Sequence, residues 1–495
     1  MHTEQNLHDT FAYPGFPYPE THPDRLAAMA ILHGLTPAPV EQCRVLEIGC
    51  NEGANLIPMA YAIPKSEFVG FDLAGARIER GQERIRELGV TNVRIFEGDL
   101  LDVGSELGHF DYILAHGFYA WVPEAARERL MALCGELLTP HGIAFVSYNA
   151  LPGGHLRIMI REMMLYHVKD IEEPHRRVSE SIAFLHFLLE SRPEDDAYRL
   201  LIQRQLEQME MRSPELTFHD WLSDAYHPVL FTEFVEHARR HGMQYLSEAM
   251  LPPMTDPWYR SEIRSALEGA AGGDILKQEQ MLDFVRARMF RETLLCRGER
   301  VVRRDFPAEH LRRLLLASQA TSAPGETPGT KVFMLPTGVR MESNHAGAIA
   351  LLEELEAKWP RSLSLEDLEP RLVDTGFLLD EEGVTLLMRL VVARFVEIHA
   401  WRAPVAGEIS KHPRASACMR LEARTRAFAT TLLHGTLRLD DPVVVSLLKL
   451  LDGTRDRRAL LDAIKGEFPA MSQEELEAGI EPTLRRFHHA GALEA

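Results

Sequence analysis

The stretch Val45-Leu46-Glu47-Ile48-Gly49-Cys50-Asn51-Glu52-Gly53, followed nineteen residues later by Asp72, decides how this chain is read. Arg44 to Ile48 is an apolar run of the kind that forms a buried strand, and the Gly-rich turn after it feeds a helical pattern from about Asn55. Glu67-Phe68-Val69-Gly70-Phe71-Asp72 reads as a second strand ending on an acid. Strand, glycine turn, helix, strand and acid make the nucleotide half-site of an open α/β sheet. The turn lets backbone approach a ligand, and the acid accepts hydrogen bonds from ribose hydroxyls. A dinucleotide fingerprint would need glycine at 51 and 54, where the chain has Asn51 and Ala54, so a pyrophosphate has a poor cradle here.

The alternation continues outward. A helix is expected from about Ala76 to Leu88, stopped by Gly89, then strands at Asn92 to Phe96 and Phe110 to Ala115. A helix from about Glu124 to Leu138 leads through Pro140 and Gly142 to a fifth strand, Ile143 to Tyr148. This pattern predicts a parallel sheet flanked by helices. From about Leu156 to Met211 the apolar spacing is helical. Sheet signals return with a helix at Phe231 to His241, a strand at Met243 to Glu248 and another at Met289 to Cys296. Residues 156–226 are therefore expected to be a helical insertion, a lid or a surface that pairs two chains. Ala320 to Thr330 reads as a linker. Two similar units follow, each a short strand and three helices, one ending with an apolar helix around Val384 to Ile398. The expected domains are 1–155 and 227–305 for the sheet, 156–226 for the insertion, and 306–405 and 406–495 for two winged-helix-like modules.

At 495 residues the chain has room for about three domains. Apolar and charged contents of 45% and 26% are those of a soluble globular protein. The best membrane-span candidate, Val384 to Trp401, is broken by Arg389, Arg394 and Glu397. Met1 to Pro19 lacks the basic patch and apolar core of a signal peptide. Cysteines 43, 50, 134, 296 and 418 form no C-x-x-C pair and leave one over, which points to reduced thiols in the cytoplasm. The net charge of −19 argues against a nucleic-acid partner. Residues 1–165 hold 12 Lys+Arg against 21 Asp+Glu, which either keeps the surface soluble or attracts a cationic, lysine-bearing substrate. Glu233, His237 and His241 share one helix face but lack a further metal-ligand signature, so no metal is expected.

Glu47-Ile48-Gly49, with Gly53 closing the loop, resembles motif I of class I S-adenosylmethionine (AdoMet) methyltransferases. Further segments resemble bacterial AdoMet methyltransferases that carry a methyltransferase regulatory domain. They are Pro17-Tyr18 with Thr21 to Leu26, Asn55 to Ala60, Phe110-Asp111-Tyr112 with His116 to Pro123, Val146 to Asn149 with Pro152-Gly153, and His219-Asp220-Trp221-Leu222. The likeness covers about residues 13–300 well and the C-terminal third loosely. Asn51, Glu52, Phe118, Ala120 and Gly154 depart from the usual pattern. The resemblance implies a Rossmann-like class I sheet and AdoMet as cofactor. Members known to share this architecture are rickettsial lysine methyltransferases of an outer-membrane protein, which implies lysine N-methylation of a protein, outer-membrane or secreted, before export. Other readings are a small-molecule or peptide methyltransferase, or a non-catalytic AdoMet-sensing scaffold.

Ligands in such sheets sit at the strand ends. Glu47, Gly49 and Gly53 are expected along the methionine moiety, Asp72 on the ribose, and Asp99 with Leu100 at the adenine. Tyr18, Cys50, Asn51, Asn55 and Leu73 complete the cofactor set. Asp72 and Asp99 have helix caps as alternative roles. His116 faces the sulfur or the substrate, or is structural. Tyr119 and Trp121 form either an acceptor mouth or an apolar plug. Tyr148 and Asn149 are placed to hold the acceptor amine, unless Asn149 only forms a turn. Neutralising a lysine amine of pKa about 10.4 costs roughly 4–5 kcal/mol at pH 7, so the site must favour the free amine.

Overall fold

Strand β1 (Arg44–Ile48) is buried from Val45 onward because helices cover both faces of its sheet. In the computed structural model, which describes residues 13–251, 260–375 and 377–495, it pairs with β2 (Glu67–Asp72) on one side. On the other side lies β4 (Phe110–Ala115). With β3 (Val93–Glu97), β5 (Leu138–Asn149), β6 (Met243–Glu248) and β7 (Phe290–Arg297) they form a seven-stranded sheet of order β3-β2-β1-β4-β5-β7-β6. Strands β1 to β5 are parallel, and β7 runs antiparallel to both neighbours. The order reverses between β1 and β4, so the chain departs to opposite sides there and leaves a crevice at the strand ends.

Side chains alternate between two cores. Val45, Phe68, Tyr112, Phe145 and Leu294 meet the helices Pro23–Leu32 and Leu56–Ala62. Leu46, Val69, Ile113, Val146 and Tyr148 meet Glu124–Leu137 and Phe231–Arg240. The same parity sets Glu47, Ser147 and Glu292 on the first face, with Glu292 paired to Ser147 across β5 and β7. Behind β7, the buried Arg291 guanidinium binds Glu248, Asp283 and Glu279. These pairs tie the helix Ile275–Arg286 to β6 and β7.

The insertion begins at Gly154 and its last turn ends at Leu222, close to the expected 156–226. Its helices Gly154–His167, Pro174–Glu190 and Ala197–Glu210 close on a separate core that includes Ile160, Leu185, Ile202 and Trp221. Two expectations fail further on. The expected linker at Ala320 to Thr330 contains a strand, Thr321–Pro324, which pairs with Lys331–Met334; that strand pairs in turn with Arg340–Ser343. The helix expected over Val384 to Ile398 ends at Val392, and Glu397–His399 becomes a strand on Leu315–Ala317. In both places a tertiary strand partner overrides local composition. The last unit follows the pattern, with the strand Thr436–Arg438 and helices Pro442–Leu450, Arg457–Glu467 and Gln473–His489. Ser472 and Glu475 form a capping box on its final helix. Among the described residues, no helix is long and apolar enough to cross a membrane.

Candidate active site

The turn after β1 is built on three left-handed residues: Gly49 (φ +74°), Asn51 (φ +51°) and Gly53 (φ +70°). A Cβ on Gly49 would meet the Phe118 ring at 3.0 Å, so the close approach also demands glycine. Asn51 tolerates the conformation because its side chain bonds locally, accepting from Glu52 N–H at 2.8 Å and donating to Tyr13 C=O at 3.0 Å. Asp72 closes the turn from β2. One carboxylate oxygen accepts Asn51 N–H at 2.8 Å and the other Ala74 N–H at 2.9 Å, leaving a lone pair on each.

Glu47 is the buried floor. Its Oε1 accepts from Asn55 Nδ2 at 2.8 Å, whereas its buried Oε2 has no hydrogen-bond partner. Burial pushes this carboxyl up to about 8. Asn55 Oδ1 in turn accepts Tyr18 N–H at 2.9 Å and His434 Nε2–H at 2.8 Å, the latter from the far end of the chain. Glu52, an atypical motif residue, pairs with Arg77, Arg84 and Arg426.

Other expected cofactor residues fall differently. The Cys50 side chain packs onto Gly70 and its N–H bonds Phe71 C=O. Leu73 is exposed and Leu100 is buried, while Asp99 caps a turn by accepting Leu101 N–H at 2.9 Å.

At the end of β4 the His116 ring stacks on Tyr18 with centroids 3.7 Å apart. Its Nε2 lies 3.7 Å from Glu20 Oε1, and burial lowers the imidazole to about 4, so it is neutral near pH 7. Asn149 is buried with Oδ1 unpartnered. Tyr148 departs from its expected role. It is 1% exposed on the opposite sheet face, stacked on Phe234 at 4.0 Å, and its hydroxyl accepts from Thr293. Strand parity forbids Tyr148 and Asn149 from serving one site. Tyr119 is a plug as well, buried with its hydroxyl 2.8 Å from His237 Nδ1. Trp121 is half-buried against Tyr226 and the Arg161 guanidinium, where the insertion begins. His237 and His241 lie within 3.0 Å of Glu128 rather than grouping with Glu233, which instead accepts Leu230 N–H.

Sequence reasoning missed Thr21, whose hydroxyl accepts from Asn55, as well as Glu20, Glu292 and His434. Thr21 lay within a quoted segment; His434 had no local signal.

The residues present suit AdoMet. A buried carboxylate oxygen without a partner can take a cationic donor, the Asp72 carboxylate keeps lone pairs that can accept from hydroxyls, and the glycine turn leaves no room for side chains. Three family models match: "Methyltransferase domain" over residues 45–142, "Predicted methyltransferase regulatory domain" over 213–297 and "PKMT, C-terminal winged helix domain" over 411–487. Two Rickettsia prowazekii proteins, RP789 and RP028, are each 32% identical to the chain. The aligned parts cover 63% of this chain and 56% of RP789, and 49% of this chain and 98% of RP028. The chain thus spans little over half of RP789. The fold matches PKMT2 from Rickettsia typhi in complex with AdoHcy, with a TM-score of 0.87 and 24% identity over 97% of this chain and 100% of that one. With RP028 matched almost end to end and the cofactor cradle in place, the chain belongs to the family of AdoMet-dependent methyltransferases that carry a methyltransferase regulatory domain.

Proposed function

We propose that the protein transfers the methyl group of AdoMet to the side-chain amine of a protein lysine. The observation that carries this reading is the pair of buried, unpartnered acceptors, Glu47 Oε2 and Asn149 Oδ1, at the carboxyl ends of β1 and β5. When bound, AdoMet supplies an electrophilic methyl on a sulfonium. Glu47 ionises against the methionine ammonium, and Asp72 accepts from the ribose hydroxyls. Neutral His116 adds no positive charge beside a cationic cofactor or a cationic acceptor. Asn149 Oδ1 accepts an amine N–H and so aims the lone pair. Positioning of this kind is worth roughly 7–11 kcal/mol.

The AdoHcy bound by PKMT2 and the winged-helix match to PKMT proteins support the reading. So does the acidic balance of residues 1–165. A protein acceptor, outer-membrane or secreted, would be met before export in the cytoplasm, where five buried free cysteines stay reduced. The insertion, with Tyr166, Phe187 and Met211 exposed, would act as a lid or pair two chains, which light scattering over a concentration series separates. The His434–Asn55 bond favours a second reading, an AdoMet-sensing scaffold whose C-terminal module reports occupancy. Tritiated AdoMet with fractionated bacterial lysate, followed by mass spectrometry, decides. Label on lysine is expected. Label only on carboxylates or small molecules overturns the acceptor, and AdoMet binding with no AdoHcy formed favours the scaffold.

A further inference from the structure

Three side chains from distant parts of the chain converge on the first face of the sheet. Glu20 comes from the turn Pro19–Thr21, His116 from the end of β4, and Glu292 from β7 opposite Ser147. One nitrogen or oxygen of each lies within 4.8 Å of the others. The Glu292 carboxyl donates a hydrogen bond to Glu20. We propose that Glu20 and Glu292 form the binding and proton-accepting site for the acceptor ammonium, with His116 as its uncharged wall. This assignment rests on the lysine reading above.

Two carboxyl groups in contact need a cation or a shared proton. Burial raises both; the charge of Glu20 pushes Glu292 further, up to about 8, so near neutrality Glu292 holds a proton, while its hydrogen bond draws Glu20 back down. Of the charged groups around them, Arg288 is engaged by Glu248 at 2.7 Å and by Phe290 C=O at 3.0 Å. Glu248 adds negative charge, and Arg25 acts on Glu20 only through space. Tyr13 and Tyr18 hydrogen-bond each other through their side chains, and burial keeps both protonated. The methionine ammonium of AdoMet already has a counter-charge in Glu47, on β1, three strands from β7. The Glu20–Glu292 pair is thus left for a second cation. Tyr18, Phe145 and Phe290 surround His116 with aromatic surface suited to the apolar stem of a lysine.

The chemistry balances. The ammonium R–NH3+ gives one proton to the anionic pair and becomes R–NH2. Its lone pair forms the N–C bond to the methyl as the C–S bond breaks, and that bonding pair stays on sulfur and cancels the sulfonium charge. The product leaves as R–NH2+–CH3, and the pair returns its proton to water between turnovers.

The test uses the full chain, poly-L-lysine as acceptor and tritiated AdoMet, with calorimetry for AdoMet affinity. Glu292→Gln and Glu20→Gln should each lower kcat/KM for poly-L-lysine on the order of 10²-fold, with AdoMet Kd within about threefold of wild type. Glu292→Asp, which keeps the acid, should recover part of the loss, and the protonated-carboxyl infrared band of wild type at neutral pH should lose the Glu292 component in Glu292→Gln while the Glu47 component stays. Chelator treatment should leave the activity unchanged. Variants as active as wild type, or losing AdoMet affinity in parallel with activity, overturn the assignment. Activity abolished by chelator and restored by a divalent metal overturns it too, because the three groups would then be metal ligands. A wild type that methylates no amine overturns the lysine reading together with this one.

Discussion

The C-terminal module and the helical insertion both lean on the methyltransferase sheet, but different chemistry attaches them. The module is fixed by directional polar contacts. Arg426 binds Glu52, Glu422 and Gly15 C=O; Arg424 binds Glu87 at 2.6 Å; and the Tyr61 hydroxyl donates to Glu494 at 2.5 Å. Next to it, Asp24 accepts from Ala400 N–H, Trp401 N–H and His399. The insertion closes on its own core and meets the rest of the chain through stacked rings and guanidinium groups. Arg161 lies over Trp121 and Tyr226, and Tyr13 meets His219 edge-on at 5.7 Å. It also leaves Tyr166 74% and Met211 81% exposed. Directional hydrogen bonds hold one geometry, whereas ring contacts tolerate sliding. The C-terminal module is thus held to the β1 turn and Asn55 by hydrogen bonds and ion pairs, and the insertion by looser ring contacts.

The largest effect should come from Trp221→Ala, which empties the middle of the insertion core and costs about 3–5 kcal/mol locally. Hydrogen exchange should rise across Gly154–Leu222 while AdoMet Kd stays within about twofold; a parallel loss of AdoMet binding would break the contrast. Asp72→Ala should come next, weakening AdoMet by about 1.5–3 kcal/mol in calorimetry without loosening the insertion. His434→Ala sharpens the comparison, since it lies 379 residues from Asn55 yet bonds to it. A loss of about 1 kcal/mol in AdoMet binding is expected, with hydrogen exchange in the insertion unchanged. Equal AdoMet affinity in this variant would show that the module only packs.

The smallest effects should come with pH. Burial holds His22, His33 and His116 neutral with values near 4, and His434 well below its ordinary 6.5. The unfolded chain then binds more protons than the folded one, so the stability these groups allow at pH 7 is lost as pH falls from about 6.5 toward 4. His399 has the opposite sign. Paired with Asp24, it is raised to about 9, so its contribution is complete below about 6.5 and lost as pH rises through 9. The rings of His22 and His434 lie 5.2 Å apart beside Asn55, so thermal scans with AdoMet present should lose ligand stabilisation below pH 6. A flat profile from pH 7 to 5 would contradict the buried, neutral state of these rings.

Legibility followed the range of the interactions. Strands β1, β2, β4 and β6 lie where their apolar runs and bounding turn residues put them, at Arg44–Ile48, Glu67–Asp72, Phe110–Ala115 and Met243–Glu248. The acid at the end of β2 faces the Gly49–Gly53 turn, since strand–turn–helix spacing is a local property. The helices Ser261–Ala271 and Ile275–Arg286 were not anticipated; the amphipathic signal of the second is weak, and Arg291 pins it from outside. Tyr148 was misplaced because neighbouring residues of a strand face opposite ways, and which face is the site's depends on what packs there.

The amino-acid sequence by itself determined the class of fold, the glycine turn after β1, the acid that closes it and the presence of a helical insertion. All rest on periodicity and glycine placement within some thirty residues. Tertiary structure alone decided that Glu20 meets Glu292 and His116, that His434 braces Asn55, and that Glu52 is an anchor for Arg426. Those contacts join residues from about a hundred to nearly four hundred positions apart, and their charges are set by burial, which no local pattern encodes.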